Sequence, residues 1–143
     1  MELTNFTDYS LRVLIYAAIH PDRLVTIGEI SEAYGGISRN HLVKVVNNLA
    51  TMGLIETIRG KGGGFRLSVP PEEINVGDVV RQTEPTFDLL PCMGRMDTSC
   101  VIDHACLLKH ALFEAREAFV KVLRRYSIAD VTTNRGVLQN LLS

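Results

Sequence analysis

In the amino-terminal third of the chain, apolar residues recur at helical spacing. Leu11, Leu14, Ile15, Ala18 and Ile19 return every three or four positions, which predicts a helix that starts after Thr7 or Asp8 and stops at His20-Pro21. A second, short helix is expected from Thr26 to Tyr34, with Thr26 as its cap, Ile27, Ile30 and Ala33 facing inward, and Gly35-Gly36 breaking it. A third is capped by Ser38, presents Leu42, Val45, Val46 and Leu49 as an apolar stripe, and ends near Met52 before Gly53. The period then changes from helical to alternating. Residues Leu54 to Arg59 and Phe65 to Val69 read as paired strands around a Gly-Lys-Gly-Gly-Gly turn.

Beyond Pro70-Pro71 a short helix is expected around Val76 to Gln82, followed by the stretch Glu84 to Asp88 and a segment that carries all the cysteines. From about Ala105 the helical pattern returns. Leu108, Leu112, Ala115, Phe119, Val122 and Tyr126 form a heptad seam, suited either to crossing a symmetry mate or to packing on the amino-terminal part. The fold class expected is mainly α with a small β-hairpin wing. A winged helix-turn-helix domain would occupy residues 1–70, a connecting helix and cysteine loop 71–104, and a dimerisation helix with a C-terminal tail 105–143.

Composition narrows the class. The 143 residues are 46% apolar, enough for one ordinary core, and no run approaches the about 18 apolar residues of a membrane span. The amino terminus lacks a basic stretch followed by an apolar core, so a cytoplasmic protein without a membrane partner is expected. Net charge is −1 but unevenly placed: Arg39, Lys44, Arg59, Lys61 and Arg66 face only Glu56 within their stretch, giving +4 there and −5 elsewhere.

That local positive charge coincides with the elements that would meet a duplex. In a helix-turn-helix the first turns of the second helix enter the major groove, which places Ser38, Arg39, Asn40, His41 and Lys44 within reach of base edges or phosphates. In the wing, Arg59 and Lys61, with Arg66 as a further cation, can meet the backbone, and Gly62 and Gly63 permit close approach. A nucleotide-binding phosphate loop is disfavoured, because Gly, four residues, Gly-Lys-Ser/Thr is absent and the turn does not open a helix. The expected partner is double-stranded promoter DNA. Two recognition helices one duplex turn apart make a homodimer the expected assembly.

Cys92, Cys100 and Cys106 lie close together, and three thiols cannot pair fully within one chain, so metal ligation is favoured over disulfides. Soft thiolates suit an iron-sulfur cluster or zinc, and a zinc site could be completed by His104, Asp103 or His110. A catalytic thiol would need more than the Cys106 and His110 pair, since no orienting group or oxyanion loop accompanies them, and an enzyme is not expected. Asp8, at the mouth of the first helix, has an ordinary use as a helix-capping carboxylate.

The stretches Leu3 to Arg12, Ser38 to Lys44, Arg59 to Gly64 and Gly77 to Arg81, together with the three cysteines, resemble the NsrR/IscR/RirA family of bacterial iron-sulfur winged-helix transcription regulators over essentially the whole chain. Within it, the nitric-oxide-sensing repressors look most similar. The resemblance implies that Cys92, Cys100 and Cys106 ligate a 4Fe-4S cluster, with 2Fe-2S or zinc as alternatives, and that Asp8 supplies an oxygen ligand from the other subunit. It also implies a repressor whose effector is nitric oxide. The interval from Cys92 to Cys100 is longer than that branch usually keeps and closer to the iron-responsive branch, which leaves iron status as the alternative signal. The family's alternative histidine ligand, three residues after the last cysteine, is Lys109 here, with His110 one step further round the helix.

Overall fold

The computed structural model describes residues 2–94 and 100–143. In chain order it contains α1 (Asn5–Ile19), α2 (Ile27–Ala33), α3 (Arg39–Thr51), β1 (Ile55–Ile58), β2 (Gly64–Leu67), α4 (Val76–Thr83), α5 (Leu107–Leu123), α6 (Ile128–Val131) and α7 (Arg135–Leu141), with 3-10 turns at Pro71–Glu73, Pro91–Met93 and Asp103–Ala105.

α1 starts at Asn5, earlier than its apolar pattern suggests, because Thr4 is the cap and its hydroxyl accepts from the Thr7 amide. Asp8 is therefore a residue of the first turn and not the capping carboxylate. The helix is covered by α3, α4, β2 and α6. Its buried face is correspondingly broad, with Val13, Leu14, Tyr16, Ala17 and Ile19 joined by Thr7 and Ser10, while Leu11, Ile15 and Ala18 are only half-buried. Ser10 enters the core with its hydroxyl donating to the Phe6 carbonyl at 2.7 Å, so its burial leaves no polar group unpaired.

α2 opens with a complete capping box, in which Thr26 accepts from the Glu29 amide and the Glu29 carboxylate accepts from the Thr26 amide. α3 buries Leu42, Val45, Val46 and Leu49, the stripe expected from the sequence. β1 and β2 pair antiparallel from Ile55 opposite Leu67 to Ile58 opposite Gly64. A further bridge joins Phe65 to Val25, with both amide-to-carbonyl distances 2.9 Å, so the hairpin is sewn to the segment before α2.

The carboxyl-terminal part returns to this core. Val76 donates to the Tyr126 carbonyl at 2.9 Å and Ile128 to Ile74 at 2.8 Å, and Ile128 is fully buried. Where the sequence pattern places only a C-terminal tail beyond Tyr126, α6 begins with a Ser127–Asp130 capping box. α7 then hangs on the end of α1 through Arg135 Nε and Gln139 Nε2, which donate to the Ile19 carbonyl at 2.9 and 2.6 Å.

α5 packs on α4 through a face that includes buried Val120. The heptad seam is a different face. Leu108 is 60% exposed, Phe119 40%, Val122 45% and Tyr126 47%. Among the described residues the seam is only partly covered, with Leu112 half-buried and the Phe119 ring 6.5 Å from that of Phe87.

Candidate DNA-binding face and cysteine site

The turn between α2 and α3 is built from glycine and one buried hydroxyl. Gly35 and Gly36 adopt φ of 76° and 91°, a region costly to other residues. Ser31 Oγ, buried, donates to the Ile37 carbonyl at 2.7 Å and fixes the angle at which α3 leaves. Ser38 stands at the N-cap position, but its side chain makes no capping bond, contrary to the expectation from sequence.

Arg39, Asn40, His41 and Lys44 are all exposed on α3. Arg39 reaches back to Glu32 at 3.3 Å, a pair with side chains 64% and 79% exposed and so easily exchanged for a phosphate or base. The His41 ring lies 6.4 Å from the Tyr9 ring, which brings α1 against the first turn of the recognition helix.

In the wing, Arg59 and Lys61 are exposed. Gly60 and Gly62 have φ of 100° and 75°. Gly63 is required for a different reason: a Cβ there would lie 2.3 Å from the Ile58 carbonyl oxygen. Arg66 does not join Arg59 and Lys61 as an unengaged cation, because it pairs across the strands with Glu56, the residue opposite it in register. Sequence reasoning missed Gly64, whose Cβ would meet the Val25 carbonyl at 2.5 Å, since the bridge to Val25 has no local signal.

The three cysteines are free thiols, each partly buried. Cys92 lies in the turn Pro91–Met93, anchored by buried Met93. Cys100 precedes the turn Asp103–Ala105, and its carbonyl accepts from the Asp103 amide at 3.1 Å. Cys106 is the N-cap of α5, where its Sγ accepts from the Lys109 amide at 3.4 Å. Residues 95–99, the middle of the Cys92 to Cys100 interval, lie outside the described residues. Among those described, no three His, Cys, Asp or Glu side chains gather closely enough within one chain to hold a metal ion. His104 and His110 are exposed.

Lys109 is the residue sequence reasoning undervalued. Its ammonium lies 2.5 Å from Asp103, which engages one of the oxygens considered for zinc. The Asp103 hydrogen bond and charge hold the Lys109 ammonium above the usual lysine range. The Cys106 sulfur thus has one backbone amide donor at the start of α5. In chemistry the donor set fits an iron-sulfur group or another soft metal centre.

Asp8 is not brought to the cysteines of its own chain. Its carboxylate pairs with Arg12 at 2.9 Å on the half-exposed side of α1. Glu84, which ends α4, takes the place at the mouth of α1 that sequence gives to Asp8: its carboxylate accepts from the Thr4 amide and from the hydroxyls of Thr4 and Thr7.

A recognition helix set by a tight glycine turn, a basic glycine wing sewn to the core, and a helix with an exposed apolar seam preceded by three thiols define a winged-helix DNA-binding regulator. The chain belongs to the Rrf2 family, described as iron-dependent transcriptional regulators, which it matches over residues 3–134. It is 49% identical over 143 residues to the HTH-type transcriptional regulator NsrR of Bacillus subtilis strain 168, covering 99% of this chain and 97% of that one. The NsrR of Bacillus licheniformis is 45% identical over 144 residues, with both chains covered completely. Among solved structures, CymR, the global cysteine regulator of B. subtilis, superposes with a TM-score of 0.73 at 21% identity, covering 94% of this chain and 98% of that one. T. potens IscR superposes equally well, at 0.73 and 22% identity, covering 94% and 88%. These two likenesses show the fold. The protein is a DNA-binding transcription regulator and not an enzyme. No described helix is long and apolar enough to cross a membrane.

Proposed function

We propose that this protein is a homodimeric repressor that binds a palindromic promoter while its cysteines hold an iron-sulfur cluster, and that attack of nitric oxide on the cluster releases the DNA. The observation that carries this reading is the presence of Cys92, Cys100 and Cys106 as free, partly buried thiols, with Cys106 at the start of α5 accepting from the Lys109 amide, in a chain 49% identical to a regulator named NsrR. Bound there, a 4Fe-4S group would supply an iron open to attack, provided its fourth ligand is weaker than a thiolate. Cys92, Cys100 and Cys106 would hold it as three thiolates, and Asp8 of the partner subunit would supply the fourth ligand, an oxygen.

The chain's own residues do the rest. Arg39, Asn40, His41, Lys44 and Ser38 face the major groove, while Arg59 and Lys61, with the backbone at Gly62 and Gly63, follow the phosphates. The exposed seam of α5 supports the dimer, since Leu108 is 60% exposed and Phe119 and Val122 remain 40% and 45% exposed among the described residues. Asp8, half-exposed and paired among the described residues with Arg12, is available to a partner.

The test is an anaerobic titration of the cluster-loaded protein with nitric oxide, following the visible absorption band and operator binding in the same samples. Bleaching in step with DNA release is expected; undiminished operator affinity after stoichiometric nitric oxide would sink the proposal. The long interval between Cys92 and Cys100 favours one second reading, a response to iron status. DNA release on iron chelation, with indifference to nitric oxide, is its signature.

A further inference from the structure

Glu84 supports the start of α1 from a different helix. One carboxylate oxygen accepts from the Thr4 amide at 3.1 Å, the Thr4 hydroxyl at 3.1 Å and the Thr7 hydroxyl at 2.6 Å, and the other lies 3.2 Å from the same amide. Thr4 is the N-cap of α1, and Thr7, with no exposed surface, completes its first turn. A negative charge at a helix mouth is favourable in itself. Here it comes from a residue 80 positions away in sequence.

Both ends of this link bear on the cysteine site. Asp8 follows Thr7 directly, and its amide donates to the Thr4 carbonyl at 3.0 Å, so the turn that Glu84 grips is the turn that carries Asp8. In the other direction the chain runs from Glu84 through Phe87, whose ring lies 6.5 Å from Phe119 of α5, and Asp88, paired with Arg116 at 3.4 Å, to Cys92. The root of the cysteine segment is thus held against α5, and Glu84 ties the Asp8 turn to that root.

We propose that Glu84 is a positioning residue for the oxygen ligand: it fixes the Asp8-bearing turn of α1 relative to the root of the cysteine segment, so that Asp8 is presented at a defined height to the thiols of the partner subunit. This rests on the reading of Asp8 as a ligand. Without the carboxylate, the buried Thr7 hydroxyl loses its 2.6 Å acceptor, and the first turn relaxes to satisfy it. Tyr9 and Arg12 belong to the same stretch, Tyr9 beside His41 and the Arg12 guanidinium 5.1 Å from the centre of the Tyr34 ring, so movement of this turn is felt at both ends of the glycine turn before α3.

The experiment compares wild type, Glu84→Ala, Asp8→Ala and the double variant as full-length protein loaded anaerobically with cluster, timing loss of the visible band to an iron chelator. Hydrogen exchange of the peptide from Leu3 to Arg12 is measured on the same proteins without cluster. Glu84→Ala is expected to speed cluster loss about 10-fold and to raise exchange in the first turn of α1, and the double variant to lose its cluster no faster than Asp8→Ala. Multiplying rates in the double variant would overturn the proposal, because Glu84 would then act independently of Asp8. A wild-type rate for Glu84→Ala beside a fast Asp8→Ala would overturn the positioning role alone, whereas a wild-type rate for Asp8→Ala would overturn the ligand reading and the proposal with it. If Glu84→Ala does not fold, Thr7→Val keeps the shape, deletes the shortest of the bonds, and carries the same expectations.

Discussion

Asp8 and Arg12 face each other across one turn of α1, 2.9 Å apart, with side chains 42% and 39% exposed. Such a pair contributes about 0.3–0.5 kcal/mol, and capping of the helix is done by Thr4 and Glu84. Asp8→Ala is therefore expected to shift the unfolding free energy by no more than about 0.5 kcal/mol in denaturant titrations, while changing cluster stability or nitric oxide sensitivity. A loss of stability several times larger, with unaltered cluster behaviour, would return Asp8 to a structural role.

Base reading and backbone gripping separate by mutation. Arg39→Ala or His41→Ala should cost about 1–3 kcal/mol at particular operator positions. Lys61→Ala, on the wing, should weaken all sequences alike and reduce the salt slope by about 1. Competition binding against single-substitution operators, repeated across salt concentrations, checks both. Equal and sequence-independent losses in all three variants would refute this division of labour.

Wherever local spacing decides structure, the sequence was legible. The stripe Leu42, Val45, Val46 and Leu49, the Thr26 cap and the hairpin around the glycine turn appear as their periodicities require. What escaped depends on contacts distant in sequence: the bridge from Val25 to Phe65, the clamp of Glu84 on Thr4 and Thr7, and the return of Ile128 to Ile74. The beginning of α1 was misplaced for the same reason. Its first turn carries only Phe6 as a large apolar residue, and buries Thr7 against an acceptor from another helix. At the cysteine site, residue types identified the chemistry, but the role of Lys109 required knowing that Asp103 and the helix start at Cys106 fold beside it.

Gly63 provides a steric test of the wing. A methyl group there would sit 2.3 Å from the Ile58 oxygen and 2.8 Å from the Gly60 oxygen, both backbone atoms of the same hairpin. Gly63→Ala should cost about 1–3 kcal/mol of stability and weaken binding to every duplex through a reshaped wing. Gly136→Ala is the control, since a Cβ at that position of α7 meets nothing within 4 Å and should leave DNA affinity unchanged. Calorimetry and binding to operator and random DNA distinguish the two; matching behaviour of the variants would show that the close approach at Gly63 is readily relieved.

The Thr26–Glu29 box sets a pH dependence for α2. Burial opposes ionisation of Glu29, but the Thr26 hydrogen bonds and Arg23 outweigh it and hold the carboxyl below the ordinary glutamate value. A depressed folded value means that the contribution is fully present at neutral pH and is lost as pH falls through the acid range. Glu29→Gln should therefore have a lower urea midpoint than wild type at neutral pH, with the difference shrinking on acidification. A difference that stays constant would assign the effect to packing and not to charge.

The seam on α5 separates the fold from the assembly. Phe119 and Val122 are 40% and 45% exposed, whereas the same helix anchors to α4 through Val120, which is 2% exposed. Replacing Val122 by Lys therefore removes no core contact, and helicity and thermal unfolding of the isolated chain should change little. If the seam meets its symmetry mate, a buried lysine without a partner opposes association strongly, because its charge must be desolvated or lost. Sedimentation should then show Val122→Lys as a monomer at concentrations where wild type is a dimer. Affinity for a palindromic operator should fall sharply while binding to a half-site is retained, since two recognition helices no longer act together. Because wild-type and variant chains carry the same α3 and wing, a loss confined to the palindrome can come only from association. A dimer that persists in the variant would place the interface elsewhere and leave the exposed seam without its proposed partner.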